Sequence, residues 1–212
     1  MKKLAVPLMT SVLLLCTACD SAESAVPEIK NHIQIQNAEI NRNLQEHDIP
    51  ETVRADWEEG TVYKWQDYCA DGAATFGEDF ELQLELADFP DTVFIWRNTA
   101  IYTCADSVLS EHLVYGMPIW NAFFADLNDD GFPELCTTVS FGSGIIDEHI
   151  VVYDYHNQKE YVLTDRMAYD YYLYAEDDVL YVRKLPYLRG EETEAETGIL
   201  ALENEELVMQ QS

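Results

Sequence analysis

Positive charge is scarce in this chain: its 212 residues carry 12 Lys and Arg against 40 Asp and Glu, a formal net charge of −28 at pH 7. So acidic a surface repels phosphate backbones and anionic headgroups, which sets nucleic acid aside as a partner. Cysteine and histidine are sparse as well, five of each. Outside the N-terminal stretch that ends at Cys19 no Cys-x-x-Cys pair occurs, and none of His32, His47, His112, His149 and His156 lies four residues from another. The His-Glu-x-x-His signature of zinc peptidases is therefore missing. Gly-x-Ser-x-Gly, Ser-x-x-Lys and the P-loop are missing too, which removes the commonest sequence marks of acyl and phosphoryl transfer. Paired carboxylates for glycoside hydrolysis carry no signal here, because so many acids permit many pairings.

Long apolar runs are also absent, except at the N-terminus. Lys2 and Lys3 precede "LAVPLMTSVLLL", an apolar stretch of signal-peptide length that Pro7 interrupts. Small Thr17 and Ala18 then stand directly before Cys19 in "LCTAC". This stretch resembles a bacterial lipobox, with Cys16 where Leu is usual. The resemblance implies cleavage after residue 18, lipid on the Cys19 thiol, and a chain anchored at the outer face of the cell membrane without a spanning helix. A plain secretory signal cut elsewhere is the alternative. Residues 19–30, small and acidic, read as a tether. Removal of Lys2 and Lys3 leaves 10 basic residues against 40 acidic, moving the formal charge from −28 to −30. Cys69, Cys104 and Cys136 would remain, an odd number that leaves at least one free thiol. Cys136 continues the apolar side of a strand and reads as a core thiol, whereas a Cys69–Cys104 bridge is possible in an exported protein.

Residues 31–212 read as a single β-rich domain. "IPETVRADWEEG", 49–60, has a Pro, an acidic first turn and a Gly stop, which predicts a short helix. Period two then takes over, with Phe80, Leu82, Leu84 and Leu86 on one face and Glu81, Gln83 and Glu85 on the other. "TVFIWRN", "AIYTCAD", "PIWNAFFADL" and "PELCTTVSF" follow as strands. Hairpins are expected to turn at 156–159, 176–178 and 203–205. Residues 79–115, 118–164 and 169–210 each hold about four short strands, like one propeller blade. Three such units fall short of an ordinary closed ring, so an open stack or a sandwich is equally expected. The fold class is mainly β: antiparallel hairpin meanders with a short N-terminal helical element. The tyrosines from Tyr153 to Tyr181 fall on predicted strands, where they build core or cross-strand pairs. "DEH", 147–149, reads as an exposed, charged strand start, and "GSG", 142–144, as a flexible turn.

The most informative stretch is "ADLNDDGFPELC", 125–136. Calcium prefers several hard oxygen ligands in a tolerant geometry. Asp126, Asn128 and Asp130 offer oxygens at alternate positions, Gly131 permits a sharp turn, the Phe132 carbonyl adds another, and Glu134 closes the loop. Asp129 is out of phase and should face solvent. An EF-hand needs Glu at position twelve, where this loop has Thr137, and its flanks are strands. The spacing instead resembles the calcium hairpins of FG-GAP and VCBS-type repeats, which implies a structural ion. An acidic turn without metal is the alternative.

"GMPIW", "DLNDDGFPELC" and "TVSFGSGIIDEHIVVYDY" form a block that is similar to an extracytoplasmic domain of Firmicutes. That domain occurs as stand-alone lipoproteins and at the C-termini of some BlaR/MecR-like membrane metallopeptidases. The resemblance spans about residues 80–210 and is most specific at 115–172. It implies a ligand-sensing or accessory module facing an extracellular ligand or a membrane protein. Peptidase activity does not carry over without the His-Glu-x-x-His helix. The alternative from another class is a secreted hydrolase of cell-wall or sugar polymers using an unidentified carboxylate pair.

Overall fold

The computed structural model describes residues 51–68, 81–97, 99–110, 112–142, 145–187 and 194–211, all within one compact unit, Pro50–Ser212. Three sheets are formed. The first contains β1 (Val53–Ala55), β3 (Glu81–Leu86), β4 (Thr92–Arg97), β5 (Ala100–Ala105), β6 (Val108–Leu109) and β7 (Val114–Tyr115). The second runs β11 (Lys159–Leu163), β10 (Asp147–Asp154), β9 (Glu134–Phe141), β8 (Ile119–Ala125) and β2 (Tyr63–Asp67). The third is a meander of β12 (Tyr169–Glu176), β13 (Val179–Pro186), β14 (Glu196–Glu203) and β15 (Glu206–Gln211). Each sheet thus draws most of its strands from one of the three expected units. The N-terminal segment then adds β1 to the first and β2 to the second.

The second sheet is the middle layer. Strand side chains alternate between faces, and here both sides of the central strands are covered. Ile119, Ala122, Phe124, Leu135, Val139 and Val151 pack with Leu84, Phe94 and Trp96 of the first sheet. Their neighbours Phe123, Ala125, Cys136, Ile150 and Val152 pack with Leu173, Val182 and Leu200 of the third. A strand buried on both sides needs a nearly continuous apolar run rather than alternation, which is what "NAFFA" and "HIVV" supply.

One polar device crosses the second interface. β8 bulges between Ile119 and Asn121. The fully buried Asn121 then accepts the Thr138 N–H through Oδ1 at 2.8 Å and donates Nδ2 to the Leu173 carbonyl at 2.9 Å. Thr138 Oγ1 in turn accepts the Leu173 N–H at 2.9 Å. Leu173 lies on β12, the edge of the third sheet, so main-chain groups that would otherwise be buried without partners are satisfied by the central sheet.

The helix expected over 49–60 is not found in its described part. Val53–Ala55 is a strand paired parallel with β3, Val53 opposite Leu84 and Ala55 opposite Leu86. A free β3 edge offers Val53 a ladder that an isolated short helix cannot match. No helix forms at residues 56–60 either; residues 1–50, among them the first two of the expected helix and Cys19, lie outside the described residues, as do Cys69 and Phe80. Cys104 and Cys136 are free thiols, the latter buried as expected. Tyr161 and Tyr171 are core residues, and Tyr174 stacks on its cross-strand partner Tyr181 at 5.2 Å. Tyr155 instead sits in the turn after β10, its ring against Phe89 and Phe94.

Phe123 and Phe124 are adjacent, fully buried and in different cores. Phe123→Ala and Phe124→Ala should each lower unfolding free energy by about 3–5 kcal/mol in urea titrations. A near-neutral effect of either would contradict a middle layer buried on both faces.

Candidate metal centre

β8 ends at Ala125 and β9 begins at Glu134, and the intervening loop is folded around its own carboxylates. Asp126 Oδ1 accepts the Asn128 and Asp130 N–H groups, both at 3.3 Å, and Oδ2 accepts that of Gly131 at 2.9 Å. Asn128 Oδ1 accepts the Asp130 N–H at 2.8 Å, and Asp130 Oδ1 that of Phe132 at 2.9 Å. These turns are why Asp and Asn recur at alternate positions. Gly131 has φ +84 with open space where a Cβ would stand, so the backbone conformation alone calls for glycine.

Asp126, Asp130 and Glu134 each bring an oxygen within 4.8 Å of the others. Asn128 reaches the same place: its Nδ2 donates to Glu134 Oε1 at 2.7 Å. Phe132 is fixed by stacking on His156 at 3.9 Å. Asp129 is exposed, as its phase required.

Two further residues join the site from the next hairpin. Asp154 ends β10 and is only 2% exposed. Its Oδ1 accepts the Asn157 N–H at 2.7 Å, and its Oδ2 lies 2.8 Å from Asn157 Nδ2 and 3.2 Å from Asn128 Nδ2. Asn157 Nδ2 also reaches Asp130 Oδ2 at 2.8 Å. The spacing Asp154-x-x-Asn157 is a turn signal, but nothing local in it points to a loop more than twenty residues away.

Four carboxylates therefore crowd one place, and among the described residues no Lys, Arg or His is ion-paired with any of them. Glu134, 1% exposed, feels this most. Burial, then the charges of Asp154, Asp126 and Asp130, push its carboxyl from 4.5 up to about 8, against the Leu127 N–H that favours the charged form. Every donor is a hard carboxylate or amide group, the set that suits calcium or magnesium rather than a thiolate- or imidazole-seeking metal.

Other candidates fall elsewhere. Asp147 and His149 are buried, not exposed as expected for a charged strand start. Alternation puts both on one face, with Nδ1 of His149 2.9 Å from Asp147 Oδ2 and its ring stacked on Phe141. Burial lowers the His149 pKa, with Asp147 opposing. Gly142 has φ +114, and a Cβ there would lie 2.1 Å from the Ile145 carbonyl oxygen; the other two residues of "GSG" lie outside the described residues. A surface depression of about 570 Å³ beside β3 is lined by Asp56, Glu85, Asp91 and Asp106. Of these, Glu85 is engaged by Arg54 at 2.7 Å. No protein-family model matches the chain, and comparisons with curated proteins and with solved structures found no match.

The Glu134 shift has a definite sign. Its carboxyl titrates near 4.5 unfolded and about 8 folded. Between those values the folded chain holds a proton that the unfolded chain has released. In metal-free buffer this group's contribution to stability is full below pH 4.5 and declines as pH rises toward 8, by at most about 1.4 kcal/mol per pH unit. Urea midpoints at pH 5, 6, 7 and 8 in a chelator should show the decline, and Glu134→Gln should flatten it. An unchanged slope in that variant would assign the effect to other groups.

Proposed function

We propose that the chain is an exported, lipid-anchored module that binds or senses a ligand outside the cell, its central sheet braced by a calcium ion. The observation that carries the calcium reading is the meeting of Asp126, Asp130 and Glu134 with the buried Asp154 of a separate turn. Such carboxylates repel one another, and a divalent cation with six to eight oxygen ligands is the natural counter-charge. Asp126, Asn128, Asp130 and Glu134, together with the Phe132 carbonyl, would hold it. It would brace the β8–β9 loop, which Asn128 and Asp130 join to Asp154 and Asn157 of the β10–β11 turn, a structural role rather than a catalytic one.

The anchor reading rests on the lipobox-like "LCTAC" with Cys19 as the lipidated residue, and the sensing role on the resemblance to the extracytoplasmic Firmicutes domain. An exposed apolar patch at the opposite end of the central sheet from the acidic loop also favours binding over catalysis. The competing hydrolase reading draws on the acid-lined depression beside β3.

Calorimetric titration of the full chain with calcium should show binding. At a hundredfold excess over Kd the melting temperature should rise by roughly 5–10 °C. Asp126→Ala combined with Asp130→Ala should abolish both effects, and Asp154→Asn should weaken binding by about tenfold, the loss of one negative charge beside the ligands. No calcium response in the parent chain would sink the site. Separately, Cys19→Ser should end palmitate labelling in a bacterial host and move the protein from the membrane fraction to the soluble one. Retention of the label would refute Cys19 as the anchor.

A further inference from the structure

We draw no further inference here: the strongest candidate, the exposed apolar patch of Tyr115, Met117, Ile145 and Ile146 toward the end of the central sheet away from the acidic loop, carries nothing because nothing among the described residues shows what covers it.

Discussion

A five-stranded sheet whose three central strands are covered on both faces organises the molecule. The buried apolar residues of β8, β9 and β10 divide between two cores, so neighbouring side chains such as Phe123 and Phe124 serve different interfaces. A one-residue slip in register would exchange the two sets and misfit both cores at once. Asn121 makes the register still more specific. Its amide fills the bulge in β8 and also ties up the Leu173 carbonyl. A buried amide of this kind must be fully satisfied or it destabilises, and here all its partners depend on the two sheets meeting in one way.

The rigidity of that sheet bears on both of its ends. At one end the β8–β9 loop and the β10–β11 turn converge because their strands are neighbours through β9. Carboxylates far apart in sequence are thereby brought together, and burial, reinforced by their charges, raises the Glu134 carboxyl to about 8. At the other end Phe141 lies against Tyr115, and Tyr115, Met117, Ile145 and Ile146 are exposed. A calcium brace at the first end would stiffen the strands that run to the second.

Much of this was legible locally. The hairpin turns fall within a residue or so of where polar clusters interrupt the alternation. The three four-strand units correspond to three sheets. Asp126, Asn128, Asp130 and Glu134 are recognisable because loop chemistry puts ligands at alternate positions, and Asp129 is recognisable as the exception. What escaped had non-local causes. The segment 49–60 carries helix-like end signals, yet Val53–Ala55 is recruited by the vacant edge of β3, a partner some thirty residues later. Asp147 and His149 look like exposed charge in the sequence, but Phe141 and Thr164 from adjoining segments cover them. Asp154 and Asn157 belong to the acidic site only through strand pairing.

By itself the sequence determined the class of the fold, the positions of its turns and the acidic loop, because alternation and turn preference act over a few residues. Only the tertiary structure decided that the second sheet is the middle layer, that Asp154 stands beside the carboxylate cluster, and that Tyr115, Met117, Ile145 and Ile146 lie exposed toward one end of it. Those facts depend on which edges and faces are free to pair once the whole chain competes for burial. Propensity within a short window cannot express that competition.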